Sequence, residues 1–265
     1  MKLGCCSWSY HREFEAKRMN IFDFMGVCAA ELKVDGVEIT GDHLDSLGED
    51  YLRAVTRTAV DLHLTISAIT MSNDFGLPTE TERDRELEKV ERAVAAAKEI
   101  GAPILRIFAG WPTENKNKEW DEMVRCMKIA CLLAEREGVV LAVENHNSGG
   151  FIQTAADVHR LIKDVDSEWL RLNLDTGNYL DGFESIEKTL IYAVHIHAKM
   201  LDIAADGTDT TTDYADFFSL LSSINYRSFI SLEYEGEEDE TTAVPRGIGY
   251  LKNLIKEYKY RQGKY

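Results

Sequence analysis

The six residues Leu170-Arg171-Leu172-Asn173-Leu174-Asp175 decide the fold. Three leucines alternate with three polar residues, the period-two pattern of a β-strand with one apolar face. The alternation recurs in Phe229-Ile230-Ser231-Leu232-Glu233, where Ile230 and Leu232 alternate with Ser231 and Glu233. Such a strand suits a barrel: its aliphatic face packs outward on helices and its polar face lines the lumen.

Working outward, further short apolar runs lie at Lys2–Trp8, Gly36–Thr40, Leu64–Thr70, Ile104–Phe108, Val139–Glu144 and Ala193–His197, making eight in all. Helical patterns separate them. In Thr81–Ile100, Leu87, Val90, Val94 and Ala97 share one face. Others cover roughly Asp23–Leu32, Trp120–Glu137, Thr154–Lys163, Tyr214–Ile224 and Val244–Tyr258. Eight strand-then-helix units in 265 residues predict an α/β chain folded as a (β/α)8 TIM barrel, typically about 250 residues long. A doubly wound open sheet would carry a Gly-rich first turn for a nucleotide. Here the first run ends in Ser7-Trp8-Ser9-Tyr10, which cradles no phosphate. No Pro/Gly/Ser-rich linker divides the chain, so a single barrel domain over residues 1–265 is expected.

Composition excludes several classes. With 46 acidic and 30 basic residues the net charge is −16, which repels phosphate backbones unless a basic stripe offsets it. Local basic density exists only at 256–261, which reads as a solvated helix end, so no nucleic-acid partner is expected. The five cysteines, Cys5, Cys6, Cys28, Cys126 and Cys131, form no C-x-x-C pair. They suggest neither a disulfide framework nor a zinc ribbon. The N-terminus lacks the apolar run of a signal peptide, and no stretch approaches the roughly 20 apolar residues of a membrane span. A cytoplasmic protein without membrane association is expected; association into a homo-oligomer stays open.

The last four apolar runs end in Glu144, Asp175, His195-Ile196-His197 and Glu233. Singly these mean little. Glu144 or Glu233 alone reads as a loop carboxylate or N-cap, Asp175 before Thr176-Gly177-Asn178 as an Asx-turn, and His197 as a core histidine. At four consecutive strands of a barrel they converge on the C-terminal mouth, where barrel active sites sit. Three carboxylates and an imidazole gathered there raise one another's pKa unless a cation is present. An O3N set suits Mn2+, Mg2+ or Co2+, and the lack of thiolate ligands argues against a structural zinc site.

Further candidates follow the same parity. His195 lies one layer deeper and supports the site. Lys199 reaches toward a substrate oxygen, unless it snorkels at the surface. His146 and Asn145 extend into the loop after Glu144. Arg106, near the end of the fourth run, needs a carboxylate or a substrate oxyanion. Trp8 and Trp111 form walls of the mouth, and Glu38 is placed to hydrogen-bond a substrate hydroxyl.

The strings Leu141-Ala142-Val143-Glu144-Asn145-His146, Leu172-Asn173-Leu174-Asp175-Thr176-Gly177-Asn178, Val194-His195-Ile196-His197-Ala198-Lys199 and Ser231-Leu232-Glu233-Tyr234-Glu235-Gly236 resemble the sugar phosphate isomerase/epimerase family, with its xylose-isomerase-like barrel. Leu3-Gly4-Cys5-Cys6-Ser7-Trp8-Ser9 and Val34-Asp35-Gly36-Val37-Glu38-Ile39 extend the similarity over essentially the whole chain. The resemblance implies that Glu144, Asp175, His197 and Glu233 hold one divalent cation, Mn2+ foremost, with Mg2+, Co2+ and Zn2+ as the other candidates. It also implies that Glu144 and Glu233 are the catalytic acid/base pair, and that Asn178 stands where many relatives place a substrate-contacting histidine. Ile203 replaces the arginine that ketose 3-epimerases carry.

The expected chemistry is proton transfer on a small sugar, sugar phosphate or inosose through a cis-enediolate stabilised by the cation. Returning the proton to the same carbon gives epimerisation, and to its neighbour, isomerisation. Expelling a β-hydroxyl makes the chain a dehydratase or lyase, the alternative reading. An abasic-site nuclease with three zincs is disfavoured by the charge and by Asn178. A non-catalytic sugar-binding barrel is disfavoured by the complete set of ligands and bases.

Overall fold

The structure is a computed structural model describing residues 1–261. Its strands are β1 (Lys2–Cys6), β2 (Gly36–Thr40), β3 (Thr65–Thr70), β4 (Ile104–Ile107), β5 (Val140–Glu144), β6 (Leu170–Asp175), β7 (Ala193–Met200) and β8 (Phe229–Tyr234). All neighbours pair in parallel, in sequence order, and β8 returns to β1 to close the barrel. The helices are α1 (His11–Glu15), α2 (Ile21–Val27), α3 (Glu49–Asp61), α4 (Glu80–Ile100), α5 (Lys116–Glu137), α6 (Ala155–Val165), α7 (Phe183–Thr189), α8 (Tyr214–Ser223) and α9 (Glu240–Arg261).

Period-two alternation sorts the strand side chains as the sequence predicts. Leu141, Val143, Leu170, Leu172, Leu174, Ile196, Ile230 and Leu232 lie in one core with Trp120, Met123, Met127, Val158, Leu161, Phe217, Leu221 and Leu251 of the surrounding helices. A separate small cluster joins Ala68, Ile104 and Ala142. Ile104 and Ala142 precede Arg106 and Glu144 by two residues on their strands, so this apolar plug lies one step beneath the polar layer of the mouth.

Several boundaries differ from the sequence reading. The first run leaves the sheet at Cys6, and Ser7–Tyr10 form a short 3-10 turn. There the Ser7 hydroxyl accepts the Thr40 N–H at 2.9 Å and meets His43 Nδ1 at 2.9 Å, tying the turn to β2. β7 continues three residues past His197, because its pairing with β8 persists through Lys199–Glu233 and Met200–Tyr234. Helix α3 was not expected; it buries Leu52, Val55 and Ala59. α2 ends at Val27 and a wider turn, Cys28–Leu32, completes the predicted segment. α9 starts at Glu240, ahead of the predicted Val244. The buried Glu240 carboxylate accepts Arg12 Nε at 2.9 Å and the Glu13 N–H at 2.8 Å, fixing that start. Backbone 256–261 is helical as expected; the side chains of residues 259 and 261 lie outside the described residues.

At the foot of β2, a Cβ on Gly36 would strike the Thr65 carbonyl and come within 2.8 Å of the Phe229 ring. We expect Gly36→Ala to cost about 1–3 kcal/mol, the usual penalty of overpacking a close strand contact. A urea melt tests this; a wild-type midpoint would show that the strands yield there.

Candidate metal centre

The four polar strand ends meet. His197 Nδ1 lies 3.2 Å from Glu144 Oε2, 3.3 Å from Glu233 Oε1 and 3.9 Å from Asp175 Oδ2. One ligand atom from each of the four residues falls within 4.8 Å of the others, and all four residues are buried. Parallel register sets Asp175 directly beside His197 on β6 and β7, while Glu144 pairs with Asn173 and Glu233 with Lys199, each two residues offset.

Each side chain is held from behind. His197 Nε2 is 2.7 Å from Glu38 Oε1. Burial opposes ionisation of Glu38, but His197 and His195 outweigh it and hold the carboxyl at about 2. An ionised Glu38 accepts, so Nε2 carries a hydrogen whether the ring is neutral or imidazolium, and Nδ1 is the nitrogen that faces the carboxylates. Asn173 Nδ2 donates to Glu144 Oε2 at 2.7 Å, which leaves its Oδ1 to accept from His195 Nδ1 at 2.9 Å. His195 Nε2 meets Ser231 Oγ at 3.2 Å and Ser67 Oγ at 3.3 Å. Asn145 Oδ1 accepts the Asp175 N–H and its Nδ2 donates to the Asp175 carbonyl, both at 2.9 Å. The Asx-turn is present: the Gly177 N–H donates to Asp175 Oδ1 at 2.8 Å. It uses one oxygen alone.

Asp175 Oδ2 and His197 Nδ1 are buried and make no hydrogen bond, and Glu233 Oε2 has only the Lys199 ammonium beside it, at 2.9 Å. Orphaned buried polar atoms are costly. Asp175 Oδ2 and His197 Nδ1, converging with Glu144 Oε2 and Glu233 Oε1, make a set of carboxylate oxygens and an imidazole nitrogen that fits a divalent cation.

Mutual repulsion is answered partly by the protein's own cations, which corrects the expectation that all three carboxyls rise. Burial, reinforced by Glu233 and Glu144, pushes Asp175 well above the ordinary range despite Lys199. Burial opposes ionisation of Glu233 too, but His197 and Lys199 hold it well below. For Glu144, burial is likewise outweighed, by Arg106 and His197. Burial disfavours imidazolium at His197, yet Glu233, Glu38 and Glu144 raise it well above the usual value.

The other predicted residues take varied places. Arg106 finds its carboxylate: Nε is 3.2 Å from Glu144 Oε2, and the guanidinium lies over the Phe108 ring at 4.3 Å. Phe108, Trp111 and His146 form an edge-to-face cluster with centroids 5.3–5.4 Å apart, so Trp111 and His146 join the mouth through Phe108. Trp8 donates Nε1 to Glu235 Oε1 at 2.8 Å and stacks with His11 and His43. Asn178 is buried, three residues beyond the end of β6.

Two expectations change. Glu38 is fully buried and engaged by His197, so it braces that ring rather than reaching a substrate hydroxyl. Lys199 is a buried strand residue, not a surface lysine; its Nζ is 2.6 Å from Glu235, 2.9 Å from Glu233 and 3.4 Å from Asp175.

Sequence reasoning missed Asn173, Glu235 and Cys6. Asn173 and Glu235 sit two residues from Asp175 and Glu233, so strand parity could have found them. Cys6 brings a thiol into a cluster with His197 and Glu233. Burial, then Glu38 and Glu233, push that thiol well above its usual value, so it stays protonated.

The model of the xylose isomerase-like TIM barrel family matches residues 28–254. The chain belongs to that family. Among solved structures, this xylose isomerase-like barrel is similar to D-psicose 3-epimerase with D-tagatose from Clostridium cellulolyticum H10, with a TM-score of 0.80 and 16% identity over 98% of this chain and 99% of that one. The probable 3-DHS dehydratase AsbF from Bacillus anthracis superposes with a TM-score of 0.78 at 21% identity, over 96% of this chain and 99% of that one. The 3-keto-D-glucoside 4-epimerase YcjR from E. coli gives 0.77 at 21%, over 96% and 99%. At these identities the likeness is one of fold. A curated relative, inosose dehydratase from Mesomycoplasma hyopneumoniae (strain 7448), is 24% identical over 170 residues, 52% of this chain. The match spans 56% of that relative's length.

Glu38→Gln keeps the shape but removes the charge that fixes the His197 tautomer. We expect Mn2+ affinity to fall about 10–100-fold, as when carboxylates behind a metal-bound histidine are lost. Calorimetric titration measures this; unchanged affinity would show that Glu38 does not orient the ring.

Proposed function

We propose that this chain is a divalent-metal-dependent isomerase or epimerase of sugars, sugar phosphates or inososes, working by proton transfer through a cis-enediolate. One observation carries the reading: Glu144 and Glu233 approach the same His197 nitrogen, at 3.2 and 3.3 Å, from β5 and β8. Glu144, Asp175, His197 through Nδ1, and Glu233 would hold the cation, with Mn2+ the first choice and Mg2+, Co2+ or Zn2+ the others. When bound, it polarises a substrate carbonyl and stabilises charge developing on the neighbouring oxygens.

The chain's own residues do the rest. Glu144 and Glu233 are both held as carboxylates, so either can take a proton from the carbon beside the carbonyl. For return to the opposite face the other glutamate, protonated beforehand from solvent, gives its own proton to the enediolate carbon, and the first releases the abstracted proton to solvent, so the pair ends with one proton and one charge as it began. Asn173 and Arg106 fix Glu144, while Lys199 stands beside Glu233. Lys199, His146, Arg106 and Asn178 are the proposed contacts to substrate oxygens. Trp8 and Trp111 wall the mouth and exclude water from the reacting carbons.

A second reading, a dehydratase or lyase of an inosose or keto-sugar, is supported by the names of two similar proteins, inosose dehydratase and the probable 3-DHS dehydratase. The same proton abstraction serves it, followed by loss of a β-hydroxyl. In either case the proposed partner is a small sugar, and the proposed setting is cytoplasmic carbohydrate metabolism. Among the described residues no helix is long and apolar enough to cross a membrane.

The test is solvent-deuterium exchange with a panel of ketoses and inososes and Mn2+. We expect metal-dependent deuterium incorporation beside the carbonyl, abolished by chelation. Glu144→Gln and Glu233→Gln should each reduce it at least about 100-fold with unchanged thermal melts. Full activity of either variant would remove the two-base proposal. A product lighter by one water assigns the second reading instead.

A further inference from the structure

Lys199 stands among three carboxylates with different surroundings. Glu233 Oε2, 2.9 Å from its Nζ, and Asp175 Oδ2, at 3.4 Å, belong to two of the four residues of the ligand cluster. They are therefore oxygens on which a divalent cation would draw. An ammonium and a divalent cation compete for those carboxylates, because like charges a few ångströms apart in a buried site repel. The third carboxylate, Glu235, lies closest at 2.6 Å and is 37% exposed. It is absent from the ligand cluster.

The lysine stem has little freedom to escape elsewhere. Its backbone N–H donates to Thr176 Oγ1 at 3.1 Å, and its carbonyl accepts from the Tyr214 hydroxyl at 2.6 Å. Gly177 packs so closely that an added Cβ would lie 2.7 Å from Lys199 Cγ. The carboxylate open to Nζ away from the ligand oxygens is thus Glu235. That carboxylate is itself fixed, since Trp8 Nε1 donates to its other oxygen at 2.8 Å and the Trp8 ring stacks with His11 at 5.0 Å.

We propose that Glu235, anchored by Trp8, is a positioning residue that draws the Lys199 ammonium off Glu233 and Asp175 and so keeps both carboxylates open to the divalent cation. The inference rests on the metal-centre reading above. Without the Glu235 charge, Lys199 becomes a tethered competitor for the site. Trp8 then acts at one remove, as the group that holds Glu235 in reach.

Mn2+ affinity measured by calorimetry on four proteins tests this: wild type, Glu235→Gln, Lys199→Met and the double variant. We expect Glu235→Gln to weaken binding about tenfold in the wild-type background and less than about twofold in the Lys199→Met background, a coupling within the range of contacting charged residues. Lys199→Met alone should bind at least as tightly as wild type. Trp8→Phe, which loses the Nε1 anchor, should shift affinity in the same direction as Glu235→Gln but by less. Should Lys199→Met not fold, Lys199→Gln takes its place in the cycle. Equal losses in both backgrounds would overturn the inference, because Glu235 would then act on the cation by its own charge. No loss from Glu235→Gln would overturn it as well. A wild-type protein that binds no Mn2+ is a different failure, visible before any variant is made, and it removes the metal-centre reading together with this one.

Discussion

Glu38, Glu144, Asp175 and Glu233 crowd around His197 in a buried volume at one end of the barrel. Burial opposes the charge on each of these carboxylates, and their proximity to one another adds to the cost. The protein answers with three groups of its own: Arg106 against Glu144, Lys199 against Glu233 and Asp175, and an imidazolium-favouring field at His197. The answer is incomplete. Asp175 is still driven upward, and Asp175 Oδ2 and His197 Nδ1 find no hydrogen bond. The proposed metal centre rests on that residual demand for positive charge.

The barrel makes such crowding affordable by stratifying its lumen. A small apolar cluster of Ala68, Ile104 and Ala142 underlies the mouth, and Ser67, Asn173, His195 and Ser231 form a hydrogen-bonded layer around it. This layer sets the tautomer of His195 and the orientation of Glu144. Glu38, from the opposite wall, sets the tautomer of His197. Proton positions at the site are therefore dictated from beneath, while the mouth above, with Trp8, Trp111, His146 and Glu235, is shaped by loops and strand ends. The groups that orient the four converging side chains are thus separate from the loops that shape the mouth.

The sequence made the strand pattern legible because burial on one face enforces strict alternation, as in Leu170–Asp175. The convergence of Glu144, Asp175, His197 and Glu233 was legible for the same reason: each closes an apolar run at consecutive strands, and a closed barrel leaves one place for them to meet. Partnerships across the lumen were not. Nothing local to Glu38 shows that His197, on the far wall, takes its carboxylate, and nothing local to Lys199 shows that β7 runs on to bury it beside Glu235. Cys6 was hidden likewise, since a lone cysteine in an apolar strand looks like core until β1 closes against β8 and brings it to His197 and Glu233. Pairwise chemistry between distant strands is a property of closure, and closure is invisible one strand at a time.

Anomalous diffraction at the manganese edge, from crystals grown with Mn2+, tests the central claim most directly. One peak per chain is expected, within about 2.0–2.6 Å of oxygens from Glu144, Asp175 and Glu233 and of His197 Nδ1. A difference map with no peak among those four side chains, or with manganese bound only elsewhere on the acidic surface, would contradict it.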